Sequence, residues 1–242
     1  MINQTSDITL CLTIGLRPDL LRSSLASLLA HVHFEKVIAI NDFRDEATNS
    51  VFRELCPQGQ LVSLDRQLGH HAAVDHAYSL IETPYVFHSE DDWHFDSSID
   101  LISAMDLLRE NPELSQVCFR KIEDFAFSTE ETARIVHFQR SGLNCVRLDG
   151  LHDQWHGYTF NPHLAAIETW RSVGGFSKFK KERHISRSLR RDGKYSAYME
   201  NGVCHHIGAL LSVSGNDIKD QKLRQWKESI KELFRSIKKS NS

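Results

Sequence analysis

The chain has 242 residues, 40% hydrophobic and 25% charged, which is enough for one sizeable core and excludes wholesale disorder. A formal net charge of -3 argues against a nucleic-acid coat, so no nucleic-acid partner is expected, although basic residues crowd the C-terminal end. Five scattered cysteines (Cys11, Cys56, Cys118, Cys145, Cys204) without a CxxC pair suit a reducing compartment and exclude a zinc knuckle or a disulfide framework.

The first hundred residues alternate between strand and helix patterns. ITLCLTIG (Ile8–Gly15) alternates as a strand, and PDLLRSSLASLLA, from Pro18, has apolar residues at helical spacing. VIAIND (Val37–Asp42) is an apolar run stopped by two polar residues, as a central parallel strand would be. LVSL (Leu61–Leu64) is a third strand, HHAAVDHAYSLI (His70–Ile81) a helix, YVFH (Tyr85–His88) a strand and SSIDLISAMDLLRE (Ser97–Glu110) a helix stopped by Pro112. This order predicts an α/β layer with parallel strands and right-handed crossovers. Ligands collect at the carboxyl ends of such strands, where Asn41–Asp42 and Glu90–Asp91–Asp92 fall.

The second half is less regular. QVCF (Gln116–Phe119), ARIVHF (Ala133–Phe138) and NCVRL (Asn144–Leu148) suggest antiparallel or mixed strands. A polar, aromatic loop follows (Asp149–Pro162), then a helix around Leu164–Trp170 and the turn VGGF. KKERHISRSLRRDG (Lys180–Gly193) predicts a short helix stopped by Gly193. KYSAYME-NG-VCHHIG predicts a hairpin, with Asn201–Gly202 in a type I′ turn that delivers His205 and His206. Near the C-terminus, Leu223, Trp226, Ile230, Leu233, Phe234 and Ile237 recur at helical spacing among seven lysines and arginines, a basic amphipathic helix.

Glu90, Asp91 and Asp92 repel one another unless something positive lies among them. A solvated loop screened by salt is one reading. The other is a divalent cation, Mn²⁺ or Mg²⁺, held by one or two carboxylates and completed by substrate phosphates. His70, His71 and His76 suggest helix-surface or packing roles. In the loop after Asp149, Trp155, His156 and Tyr158 either pack or form an aromatic platform for a ligand.

In chain order, TIGLRP (Thr13–Pro18), VIAINDFRDEAT (Val37–Thr48), QLGHHAAVDHAYSLIETPYVFHSEDD (Gln67–Asp92) and FNPHLAAIETWRSVGGF (Phe160–Phe176) followed by Glu182 resemble the motifs of GT-A-fold glycosyltransferases, especially the inverting family 2. The resemblance spans roughly Ile8 to Gly208 and implies a Rossmann-like GT-A domain with a central, mostly parallel mixed sheet over residues 1–215. Within it, 1–112 would bind the nucleotide-sugar and 113–215 the acceptor, with the terminal helix at 216–242. The resemblance assigns Asp42 to the nucleotide base and Thr13 and Arg17 to the same pocket. Gly69 falls in the donor-binding segment, Asp91 by the ribose, Asp92 on the metal, and His206 at the metal or diphosphate. Glu182 becomes the general base. Arg183 follows it where relatives carry a second acid, so Asp153 is the alternative base.

The implied activity is metal-dependent, inverting transfer from a UDP, GDP or dTDP sugar to a hydroxyl of a glycan or lipid-linked acceptor, in surface polysaccharide or lipopolysaccharide synthesis. A non-catalytic binding module on the same fold and a sugar nucleotidyltransferase are the rivals, the latter disfavoured by the single glycine and arginine of TIGLRPD. With no leader pattern and no apolar run of spanning length, a cytoplasmic protein is expected. The terminal helix either packs on its domain or rests peripherally on an anionic membrane, the inner face of the plasma membrane.

Overall fold

The computed structural model describes residues 6–208. The chain divides into two compact units, Met1–Ile207 and Gly208–Ser242. The expected terminal helix lies outside the described residues.

Strand β1 (Ile8–Ile14) is buried along almost its whole length, as its apolar run requires. Helix α1 (Pro18–Leu29) starts with proline, whose missing N–H costs nothing there, and buries Leu21, Leu25 and Leu28. Full burial of each such leucine contributes about 1.5–3 kcal/mol. β2 (Lys36–Asn41) leads to α2 (Glu46–Leu55), whose free amides at Ala47 and Thr48 are accepted by the Asp45 carboxylate. Then come β3 (Gln60–Ser63), α3 (His70–Ser79), β4 (Tyr85–Glu90) and the short β5 (Trp93–Phe95). α4 (Leu101–Glu110) is capped by Asp100 and followed by β6 (Leu114–Cys118) and the single turn α5 (Thr129–Thr132).

β7 (Val136–Arg140) and β8 (Leu143–Arg147) form a hairpin. Its two loop residues, Ser141 (φ 49°) and Gly142 (φ 79°), both lie in the left-handed region that a type I′ turn demands. The remaining elements are β9 (His163–Ala166), α6 (Ile167–Ser172), α7 (Glu182–Arg191), β10 (Tyr195–Met199) and β11 (Cys204–His206).

Among the described residues the main sheet has nine strands in the order β3-β2-β1-β4-β9-β6-β10-β8-β7. β3, β2, β1 and β4 pair in parallel, and β6 pairs in parallel with β10. β9 is inserted antiparallel between β4 and β6, and β8 is antiparallel to both its neighbours. One sheet therefore joins the two expected halves. α1, α2 and α4 bury Leu25, Phe52 and Leu107 on one face, while α3 and α7 bury Val74, Tyr78, Ile185 and Leu189 on the other.

Two expectations are corrected. The helix around Leu164–Trp170 begins only at Ile167, because His163–Ala166 are a strand held between β4 and β6. Three or four residues are too few for helical spacing to outweigh two strand neighbours. The hairpin at Asn201–Gly202 is absent, and neither residue has positive φ. β10 pairs with β6 and β8, whereas β11 crosses to pair with β5 in a separate two-stranded ribbon. Gly202 answers a steric need instead, since a Cβ there would lie 2.4 Å from the Arg120 carbonyl oxygen.

Candidate active site

The carboxyl ends of β1, β2 and β4 lie side by side, with Thr13 in register with Glu90 and Ile14 with Asn41. Beyond β1 the chain turns through Leu16, whose φ of 60° is unfavourable for a side chain with a Cβ and costs on the order of 1 kcal/mol. That turn sets Arg17 over the acids following β4. Its Nη1 donates to Asp92 Oδ2 at 2.7 Å, and its Nη2 donates to Asp91 Oδ1. The Gly15 amide donates to Asp91 Oδ2 at 3.0 Å. β11 supplies the third group, since pairing His206 with Trp93 places His206 Nε2 3.0 Å from Asp92 Oδ2. The His206 ring also packs 5.1 Å from the buried Trp93.

Each acid of the cluster thus has a positive or protonatable partner. Arg17 spans Asp91 and Asp92, His206 reaches Asp92, and His70 Nε2 lies 3.3 Å from Glu90 Oε1. Burial pushes the Asp91 carboxyl up to about 7 against the pull of Arg17. Burial acts the same way on Asp92, but His206 and Arg17 outweigh it and hold that carboxyl below the ordinary range. Burial lowers His70 as well, yet Glu90, Glu182 and Asp42 together raise it above its usual value.

Asp92 Oδ1 is buried with no hydrogen-bond partner among the described residues, which leaves a carboxylate oxygen free to bind a cation. With the imidazole of His206 it makes a two-donor set. That suits a hard divalent cation whose other ligands come from phosphate and water. No group of three or more His, Cys, Asp or Glu among the described residues is arranged to hold a metal unaided.

Asp42, buried at the end of β2, accepts the amides of Leu68 (2.6 Å) and Gly69 (2.8 Å) and so fixes the turn into α3. Gly69 is the N-cap of α3 with φ 88°. Thr13 is half-buried at the end of β1 and Arg17 is engaged by the two aspartates.

Glu182, the first residue of α7, is placed by the loop before β9, where the Phe160 amide donates to its Oε2 at 3.4 Å. Burial, then the negative charge of Glu90, pushes its carboxyl up to about 7. His70 and Glu90, both within electrostatic reach of Glu182, were not among the sequence-derived site residues. Their signals were position only, Glu90 preceding the aspartates and His70 following Gly69.

The loop of Trp155, His156 and Tyr158 is divided. Tyr158 is 1% exposed and packs against Phe160, Phe176 and His163, so it is a core residue and offers no face to an acceptor. His156 bonds through Nδ1 to the Tyr198 hydroxyl at 3.1 Å, and burial takes it down to about 4. Trp155 is exposed, and its carbonyl accepts from Arg190 at 2.9 Å. Asp153 is exposed and has no hydrogen bond or ion pair among the described residues. His71 bonds to the Phe179 carbonyl and His76 is exposed, in line with packing and surface roles.

This is the GT-A fold, the α/β architecture of a large class of glycosyltransferases. Among solved structures, the mannosyltransferase PcManGT from Pyrobaculum calidifontis, in complex with GDP-Man and Mn²⁺, matches with TM-score 0.63 and 14% identity, covering 86% of this chain and 58% of that one. S. aureus TarS 1-349 matches with TM-score 0.59 and 10% identity, covering 84% of this chain and 60% of that one. GalNAc-T7 with UDP, GalNAc and Mn²⁺ matches with TM-score 0.60 and 9% identity, covering 86% and 44%. The chain therefore spans less than two thirds of each. No family model and no curated protein matches the sequence. Among the described residues, no helix is long and apolar enough to cross a membrane.

Proposed function

We propose that this chain moves a sugar from a nucleoside-diphosphate donor to an acceptor hydroxyl in a single, inverting displacement. The observation that carries the reading is the buried Asp92 Oδ1, unpartnered among the described residues, beside His206 at the carboxyl end of β4. Asp92 and His206 would hold Mn²⁺ or Mg²⁺, which when bound supplies Lewis-acid neutralisation of the departing diphosphate. The fold's likeness to enzymes solved with GDP-Man, or with UDP and GalNAc, and Mn²⁺ supports the same reading.

The chain's own residues then divide the work. Asp42, by gripping the amides of Leu68 and Gly69, shapes the donor pocket between β2 and α3. Arg17 spans Asp91 and Asp92 and orients both toward the donor, and with His206 it keeps Asp92 ionised. Glu182 takes the acceptor proton. A carboxyl raised to about 7 is a stronger base than an ordinary glutamate, and half the population remains ionised near neutrality. One base suffices, because a single displacement forms no covalent intermediate with the enzyme.

The test is a thermal-shift screen of UDP, GDP and dTDP with and without Mn²⁺. A single nucleotide at 100 times its Kd stabilises by about 2.7 kcal/mol, a shift of several degrees. We expect that shift for one nucleotide, only with metal, and its loss in Asp92→Ala. If none of the three nucleotides moves the transition under any metal condition, the donor assignment fails.

A further inference from the structure

Beside Glu182 runs a line of cations that no other described residue engages. Lys180, Lys181, Arg187 and Arg191 are exposed and Arg183 is half-buried. None of the five side chains has a hydrogen bond or ion pair among the described residues, and Arg183 Nε is buried without a partner. Arg190 on the same helix behaves differently, donating to the carbonyls of His152 and Trp155 and lying 3.9 Å from Asp149.

The placement also runs against helix energetics. Lys181 is the N-cap of α7 and Arg183 stands in its first turn, where the positive end of the helix dipole disfavours cations. Arg183, Arg187 and Arg191 follow at intervals of four, so like charges are stacked on one face. Ile185, Ser186 and Leu189 occupy the opposite, buried face. Among the described residues no anion offsets this repulsion, which leaves the stripe open to an anion from outside.

The helix carrying this stripe begins at Glu182. Resting on the transferase reading above, we propose that the acceptor is a phosphate-bearing glycan whose phosphates lie along Lys181, Arg183, Arg187 and Arg191 while its hydroxyl reaches Glu182. Three arginines favour phosphate, which the planar guanidinium engages through paired hydrogen bonds. Their spacing of about 6 Å along the helix axis suits a chain with charges at regular intervals. A bilayer is a poorer partner. An interfacial helix inserts an apolar face, and the apolar residues of α7 are already 0–1% exposed in the core.

The experiment measures fluorescence anisotropy of the full chain with a labelled dextran oligomer and with its phosphorylated form, without metal. The phosphorylated oligomer should bind, more weakly as NaCl rises, and the unmodified one should not. Arg187→Glu with Arg191→Glu should weaken binding by about tenfold or more. Arg187→Glu alone should raise the melting temperature, because Arg183 and Arg191 then each face an opposite charge one turn away, and the double variant should still fold. Its nucleotide- and Mn²⁺-dependent thermal shift should match that of the unaltered chain. Equal binding of both oligomers, or full affinity in the double variant, overturns the proposal. So does co-sedimentation with phosphatidylglycerol vesicles that needs Arg187 and Arg191 while phosphorylated dextran is ignored. Loss of the nucleotide response alone, with phosphate binding intact, would instead count against the transferase reading.

Discussion

His206 Nε2 lies 3.0 Å from Asp92 Oδ2 although 114 positions separate them, and only the pairing of β11 with β5 brings them together. Because Asp92 Oδ1 has no partner among the described residues, the two side chains form a donor pair whose affinity for a cation should depend on both. His206→Ala should raise the Mn²⁺ concentration needed for the nucleotide-induced thermal shift by about tenfold or more, and Asp92→Ala should remove the metal dependence altogether. Titrating Mn²⁺ at fixed nucleotide checks both. An unchanged midpoint in His206→Ala would leave the histidine a packing residue on Trp93.

Glu182→Gln is expected to lower kcat about 10²–10⁴-fold while leaving the nucleotide shift intact, as loss of a general base does. The pH dependence follows from the raised carboxyl. Glu182 is protonated below about 7 in the folded chain, so the unaltered rate should fall as pH drops through that value. Stability moves oppositely. Between the ordinary glutamate range and about 7 the unfolded chain has released this proton and the folded chain has not, so folding loses stability as pH rises. Glu182→Gln removes that loss and should melt higher than the unaltered chain at pH 7.5. A lower melting temperature would show that the carboxylate is structurally paired.

Glu90 and His70 act on Glu182 with opposite signs, the carboxylate raising its proton affinity and the imidazole lowering it. Glu90→Gln should therefore move the acidic limb of the rate profile to lower pH, and His70→Gln should move it higher. A merely structural role would scale the rate at every pH and leave the limb in place. Rate-against-pH curves for both variants, taken at saturating donor, separate the two cases.

The sequence's legibility followed the range of the interactions. β1, β2 and β4 are buried on both faces and announce themselves as apolar runs, and α3 and α7 carry their helical spacing internally. β9 and β11 are four and three residues long and owe their form to distant neighbours, so His163–Ala166 reads as helix and Asn201–Gly202 as a hairpin turn. The hairpin with two left-handed residues is at Ser141–Gly142. The site divides the same way. Adjacent Asp91 and Asp92 were visible as a cluster, and Glu182 by resemblance to a motif. That Glu90 would meet His70, and that Arg17 would span both aspartates, depends on a turn at Leu16 and on the register of β4. Tyr158 stayed open between packing and platform, because an aromatic in a polar loop looks the same whether it faces solvent or core.

The buried pair His88 and His163 supplies the last prediction. Their rings stack 5.3 Å apart, with His88 Nδ1 3.1 Å from the Tyr78 hydroxyl and His163 Nδ1 2.8 Å from the Asn161 carbonyl. Burial holds His163 down to about 4, and burial followed by the nearness of His163 holds His88 well below its usual value. In the unfolded chain both take up protons near pH 6.5, whereas the folded chain resists until far lower pH. Between those limits the unfolded state binds more protons, so stability must fall as pH drops from about 6.5 toward 4. For His163 alone the loss is about 3 kcal/mol across that window, several degrees of melting temperature in a domain of this size. His163→Gln cannot take the proton, so its melting temperature should fall less steeply between pH 6.5 and 4 than that of the unaltered chain. Melting curves at half-unit intervals of pH would reveal it, and parallel slopes for the two proteins would mean that His163 is already protonated in the fold.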